Sequence, residues 1–311
     1  MKKNIIIISV LVIVIIVAII VSSLIHPANQ PTPNKTTAVG QLQVVAAENF
    51  WGSLIAQLGG DKVKVVSVVS DPNADPHEYE TNANTAKIFA TADYVILNGA
   101  GYDSWADKLL SAGANSRRQV LNVADLLTKK DGDNPHFWYN PAYVNQVVLR
   151  MEQDLIALDP SNTAYYQAQY AALQKTLAPY QNRMATIKQQ FNKTPIACTE
   201  SIFVYLAAAL GLNLVSPADF MNAIDEGNDP PAQSVVTFEQ LINRHQIQVL
   251  VYNQQTVTPL TETIKKMAAD AGIPVVGITE TIQPPDAPFQ DWMNAELMTL
   301  ENALNAKTLG K

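Results

Sequence analysis

Eight apolar residues, Tyr166, Tyr170, Leu173, Leu177, Tyr180, Met184, Ile187 and Phe191, recur at intervals of 4, 3, 4, 3, 4, 3 and 4. That spacing puts every one of them on a single stripe of a single helix. Ser161, just after Pro160, is the expected N-cap. From residue 162 to residue 191 such a helix is about 45 Å long at 1.5 Å per residue. Pro179 falls inside it, withdraws one N–H and is expected to kink it. A helix of this length in mid-chain implies a rigid strut joining two lobes, and a stiff connector limits how far the lobes can swing.

The sequence on either side of the strut has a different rhythm. Short β-branched runs at 42–46, 63–69, 94–98 and 119–123 alternate with amphipathic segments at 50–58, 81–90 and 104–110. The pattern returns with runs at 196–199, 213–215, 249–252 and 275–278 and helical segments at 202–210, 235–245 and 259–271. Strand–helix–strand alternation gives an α/β fold with mostly parallel sheets. The expected architecture is two lobes, each a roughly four-stranded, mostly parallel sheet with flanking helices, joined by one long backbone helix. The expected boundaries are 41–160 for the N-terminal lobe, 161–192 for the linking helix and 193–311 for the C-terminal lobe.

The first 40 residues belong to neither lobe. Lys2 and Lys3 precede an uncharged run, residues 5–21, in which Ser9 is the one polar residue. A basic start before an apolar run is an export signal, with the rest of the chain outside the membrane. No cysteine follows the run, so a lipid-modified N-terminus is not expected. The preferred reading is an uncleaved anchor over 1–25, with a cleaved signal peptide as the alternative, followed by a flexible Pro-, Asn- and Thr-rich spacer over 26–40. The net charge of −7 argues against nucleic acid as a partner. One cysteine, Cys198, rules out an internal disulfide. Nothing in the sequence calls for more than a monomer.

Four histidines are present. His26 lies in the spacer, and His245 sits at a helix end, where a cation suits the dipole. His77 and His136 are different. Each follows a strand and a polar turn and is preceded by proline, in Asp75-Pro76-His77-Glu78 and Asn134-Pro135-His136-Phe137. Proline makes both positions extended and restrained. Each also has a plainer explanation: His77 as a cap beside a turn, and His136 as a ring packed among aromatic neighbours. In the second half, Glu200 follows the run at 196–199 and Glu280 follows the run at 275–278. A carboxylate favouring a helix start would explain Glu200 alone, and one in a solvated loop would explain Glu280 alone.

Together the four are more informative. All lie past the carboxyl ends of strands, the edge at which open α/β sheets bind ligands. Neutral imidazole with carboxylate is the usual mixed donor set for Mn, Fe, Zn or Co. Four protein ligands make a closed site, which binds an ion rather than activating water. A metal-dependent hydrolase would need an open position and a base, and the HExxH pattern is absent. A Gly-x-Ser-x-Gly elbow is also absent, so an enzyme is not expected.

At these residues the chain resembles the metal-binding (zinc/manganese) substrate-binding receptors of ABC transporters, cluster A-I. The most specific match is Asp75-Pro76-His77-Glu78-Tyr79-Glu80, followed by Ala92-Asp93, Asn98-Gly99-Ala100-Gly101-Tyr102 and Trp105. Pro135-His136-Phe137-Trp138, Tyr205-Leu206, Gly211-Leu212 and Gly227-Asn228-Asp229-Pro230-Pro231 follow in order, so that the likeness runs from about Val44 to Leu304. The resemblance implies two four-stranded α/β lobes bridged by one helix. It implies an extracytoplasmic receptor that holds Zn2+ or Mn2+ on His77, His136, Glu200 and Glu280 and delivers it to a permease and ATPase. A surface adhesin on the same fold is a further reading. Two departures stand out: Glu280 falls where many relatives carry Asp, and residues 128–134 lack the histidines found in many zinc receptors. The oxygen-rich donor set suits Mn2+, whereas the Irving–Williams order favours Zn2+.

Overall fold

The computed structural model describes residues 40–71, 79–113, 115 and 117–309. The proposed anchor, nearly all of the spacer, His26 and His77 lie outside them. No helix among the described residues is long and apolar enough to cross a membrane. Residues 41–311 form one compact unit.

Among the described residues, eight strands make two sheets. The first contains β1 (Leu42–Glu48), β2 (Val63–Val69), β3 (Tyr94–Leu97) and β4 (Gln119–Asn122), in the order β2-β1-β3-β4. The second contains β5 (Pro195–Cys198), β6 (Asn213–Leu214), β7 (Val249–Asn253) and β8 (Val275–Ile278), in the order β6-β5-β7-β8. All six pairings are parallel. The second sheet therefore repeats the topology of the first. Parallel neighbours need crossovers, which here are helical: α1 (Asn49–Gly59), α2 (Ala83–Thr91) and α3 (Ser104–Ala112) serve the first sheet, with the one-turn α4 (Val123–Leu126) after β4.

Between the sheets run α5 (Pro141–Leu158) and the spine, α6 (Thr163–Phe191). The second half adds α7 (Val204–Ala209), α8 (Ala218–Asp225), α9 (Ala232–Asn243), α10 (Pro259–Asp270) and α11 (Phe289–Leu309). Helices α5, α8 and α11 are not among the elements expected from the sequence. Two of them, α5 and α11, come after the last strand of their sheet, so no strand–helix–strand alternation marks them. Both pack on α6, as does α1.

The spine is helical from Thr163 to Phe191, and Pro179 lies inside it without ending it. Its buried residues, Tyr166, Leu173, Leu177, Tyr180, Met184, Ile187 and Phe191, are members of the expected stripe. The expected cap is corrected: Asn162, not Ser161, occupies the N-cap position, and it makes no side-chain cap bond. Asp159 is the reason. Its carboxylate accepts Ser161 Oγ at 2.6 Å, Asn162 Nδ2 at 2.6 Å and Tyr166 OH at 3.0 Å. A charged acceptor with three donors outcompetes a single neutral cap.

Strand alternation divides the core. Val44 and Ala46 face a continuous apolar cluster that runs through α6 to Ile196 and Cys198 of the second sheet. Val45 and Ala47 face a separate cluster with Phe89 and Trp105, and Ala197 faces another with Phe220 and Phe238. Both sheets thus present one face to the spine, and their carboxyl edges are fixed by shared packing. Leu177 lies at the centre of the spine with no exposed surface. Leu177→Ala is expected to destabilise the protein by about 2–5 kcal/mol through lost burial and a cavity, measured by equilibrium denaturation.

Candidate metal centre

Three of the four expected residues meet. His136, Glu200 and Glu280 each offer an atom such that all three lie within 4.8 Å of one another, and all are buried. The fourth, His77, lies outside the described residues. Glu200 and Glu280 are each 1% exposed and His136 is 0% exposed, which removes the solvated-loop explanation for Glu280; Glu200 does stand at the N-cap of the short turn Ser201–Phe203, but its side chain makes no cap bond there.

Each side chain is held by neighbours. His136 sits at the head of a short 3-10 turn, Phe137–Tyr139. Its ring lies edge-on to Trp138 at 5.2 Å, and Trp138 stacks on Phe50 at 4.0 Å. Its Nδ1 is 2.9 Å from Asn134 Oδ1. An amide oxygen only accepts, so Nδ1 carries the proton and the lone pair is left on Nε2. Asn134 is fixed in turn, donating to Ser201 O at 2.7 Å, while its carbonyl accepts Tyr205 OH at 2.9 Å. This is the outer-shell arrangement that orients a metal-binding imidazole.

The carboxylates share one amide. Asn253, which ends β7, donates to Glu200 Oε1 at 2.7 Å and to Glu280 Oε1 at 2.7 Å. Tyr102 OH donates to the other oxygen of Glu280 at 2.6 Å. The remaining oxygen, Glu200 Oε2, is buried with no hydrogen-bond partner among the described residues. Burial, followed by the charges of Glu280 and Asp225, holds the Glu200 carboxyl well above its usual range.

The turn bearing Glu280 is tied down from behind. Gln255 Oε1 accepts the N–H of Glu280 at 2.7 Å and that of Thr281 at 3.0 Å. Glu296 on α11 accepts Thr279 N–H at 2.9 Å, Trp292 Nε1–H at 3.0 Å and Tyr139 OH at 2.7 Å.

Several polar neighbours of the site carry no sequence motif. Glu48, which closes β1, is fully buried, and both its carboxyl oxygens lack hydrogen-bond partners among the described residues. Burial, then Asp103, pushes its pKa well above the ordinary range. By register, Ala46 faces Ile96 and Cys198 faces Val251. Two residues on, Glu48 comes opposite Asn98 and Glu200 opposite Asn253, so the two lobes place Glu and Asn at equivalent points. A glutamate closing an otherwise apolar run was the available signal. At Gly99 the chain turns with φ +76°, and a Cβ would come within 2.2 Å of Asn122 Oδ1, so the Asn98–Gly99 turn requires glycine. Asp225 is the other unmarked residue, with Oδ1 3.7 Å from His136 Nε2.

Comparison with known proteins accords with this fold. The family model described as zinc-uptake complex component A, periplasmic (ZnuA), matches residues 44–303. The manganese ABC transporter substrate-binding lipoprotein PsaA of Streptococcus pneumoniae is 24% identical over 277 residues, covering 82% of this chain and 85% of the relative. The iron ABC transporter substrate-binding lipoprotein MtsA of Streptococcus pyogenes is 26% identical over 266 residues, covering 78% and 81%. Among solved structures, the periplasmic zinc-binding protein TroA of Treponema pallidum aligns with a TM-score of 0.72 at 15% identity, covering 86% of this chain and 99% of that one. A crystal structure of ZnuA aligns at 0.68 and 21% identity, covering 85% and 99%.

The half-buried Glu296 carboxyl, pushed by desolvation from 4.5 up to about 7, predicts a pH dependence. Its raised value means the native state keeps a proton that the unfolded chain has lost, so its contribution to stability is full at low pH and declines as pH rises from about 4.5 through about 7. In Glu296→Gln that decline should be shallower, measured by metal-free denaturation across this pH range.

Proposed function

The chain belongs to the ZnuA family of periplasmic zinc-uptake components, and from that premise we propose that it is an extracytoplasmic solute-binding protein that captures Zn2+ or Mn2+ and delivers it to the permease and ATPase of an ABC importer. The observation that carries this reading is Glu200 Oε2, a buried carboxylate oxygen with no hydrogen-bond partner among the described residues, beside a second buried glutamate and an imidazole. Two buried carboxylates at this separation repel by roughly 3–4 kcal/mol at an effective dielectric near 20. A divalent cation relieves the repulsion and satisfies the orphan oxygen in one step.

In this proposal the ligands are His136 through Nε2, Glu200, Glu280 and His77, the last supported by its sequence motif. The two nitrogens and the carboxylate oxygens suit Mn2+, Fe2+ or Zn2+, and the names of the relatives span manganese, iron and zinc. Binding is favoured over hydrolysis by the burial of both glutamates, each occupied with an outer-shell partner rather than poised over an open position. Cys198 is not a nucleophile: burial pushes its thiol up to about 12. The relatives are named lipoproteins, but the single cysteine here is Cys198, buried at the end of β5. In this proposal residues 1–25, with their basic start and apolar run, attach the protein to the outer face of the membrane, or release it if the segment is cleaved.

The chain from Gln41 onward, purified without chelator, should hold one Zn2+ or Mn2+ per molecule by elemental analysis, and added metal should raise its melting temperature. No bound metal and none taken up on titration would sink the proposal. Glu280→Ala and His77→Ala should each weaken binding by at least about 100-fold while leaving the metal-free melt nearly unchanged, measured by competition with a chelator. Affinity should fall as pH is lowered, because protons compete for the imidazoles and for Glu200, whose raised pKa brings that competition closer to neutrality.

A further inference from the structure

Asn253 stands where one side chain can reach both glutamates. In the order β6-β5-β7-β8, β7 lies between β5, which leads to Glu200, and β8, which leads to Glu280. Asn253 is the last residue of β7 and is 1% exposed. Its amide is fixed in one orientation. Gln255 N–H donates to Asn253 Oδ1 at 2.9 Å, which turns Nδ2 toward the carboxylates. Nδ2 then donates to Glu200 Oε1 and to Glu280 Oε1, each at 2.7 Å. Tyr102 OH donates to the other oxygen of Glu280 at 2.6 Å. Glu200 Oε2 is buried and has no hydrogen-bond partner among the described residues.

This arrangement limits how many oxygens an ion can gather. A carboxylate that grips an ion with two oxygens must bring both to similar distances. Here one oxygen of each glutamate is drawn to the same amide nitrogen, and an oxygen held by a short hydrogen bond is a weaker and less mobile metal donor. Each glutamate is left to bind through a single oxygen. With two imidazoles the set is then tetrahedral and mixed in N and O, the geometry that Zn2+ takes at about 2.0–2.2 Å. Mn2+ prefers an octahedral, oxygen-rich shell. It completes one here only if the carboxylates turn to bind through both oxygens or if water enters. Burial of both glutamates opposes the water, and Asn253 opposes the turn.

We infer that Asn253 is a specificity-determining residue: by holding one oxygen of Glu200 and one of Glu280, it restricts each carboxylate to a single metal bond and biases the centre toward Zn2+ and against Mn2+. This rests on the metal-receptor reading above and adds which of the two ions the chain selects and through which side chain. Zn2+ outbinds Mn2+ on most nitrogen–oxygen sites, so the decisive readings are a change in their ratio and the coordination number, not the preference alone.

The test compares the full chain with Asn253→Ala by chelator competition for Zn2+ and for Mn2+, and by visible absorption with Co2+ in place of Zn2+. Wild type with Co2+ should show the intense d–d bands of four-coordination. In Asn253→Ala the ratio of the Mn2+ Kd to the Zn2+ Kd should fall by at least about tenfold, and the Co2+ bands should weaken as the carboxylates take up second bonds. Asn253→Leu, which keeps the volume without the N–H donors, should do the same and serves where the alanine variant does not fold. An equal loss of affinity for both ions would overturn the inference, since Asn253 would then be a general support for the carboxylates. Weak, six-coordinate Co2+ bands in wild type would overturn it without any variant. If wild type took up none of the three ions, the receptor reading itself would fall.

Discussion

The structure turns on two buried glutamates that share one asparagine amide. Glu200 and Glu280 come from different strand ends, and Asn253 donates to both at 2.7 Å. An amide can hold two carboxylates in place but cannot neutralise them. The charges that act most strongly on Glu200 are those of Glu280 and Asp225, so the neighbourhood raises negative potential instead of cancelling it. Such an arrangement persists only because the surrounding fold over-determines it, and in the proposed function it is what gives the resting protein its affinity for a cation.

That over-determination comes from repetition and a spine. Two sheets of the same strand order present their carboxyl edges to one region, and the apolar cluster that includes α6 runs from one sheet to the other. The aromatic group around His136 and the polar ties around Glu280 then fix the side chains. Phe50 and Trp138 confine the imidazole from the first lobe. Gln255 and Glu296 confine the Thr279–Glu280 turn from the second. Tyr102 joins the lobes directly by donating to Glu280. A change in the separation of the two sheets therefore alters ligand geometry at once, which suits a receptor that must both hold and surrender its cargo.

The sheet orders place the lobes in internal correspondence, with Glu48 opposite Asn98 in one and Glu200 opposite Asn253 in the other. Only the second-lobe pair is joined by a hydrogen bond between the two side chains. In the first lobe Asn98 turns to Trp51 and Pro135 instead, and Glu48 is left as a buried acid beside Asp103. Equivalent backbone positions have thus been put to different uses: Glu200 is a ligand of the proposed metal site, whereas in the first lobe it is Asn98 that ties down the Pro135–His136 turn.

What the sequence determined by itself is what local periodicity and local chemistry encode. The 4-3 stripe specified α6, the β-branched runs specified eight strands, and proline before His136 specified a stiff turn past a strand end. The α5 and α11 helices escaped because they stand outside the strand–helix alternation, and the Ser161 cap failed because Asp159 offered a stronger acceptor. Only the tertiary structure decided which atoms converge. Residues 136, 200, 253 and 280 are far apart in the chain, and their meeting depends on sheet order and on the core that sets the sheets against the spine. Asn253, Tyr102 and Asp225 carry no local signature, since an amide, a phenol and a helix-end carboxylate are ordinary until a neighbour from another element is brought within hydrogen-bonding distance. Periodicity says which face of an element is buried, but not what it will be buried against.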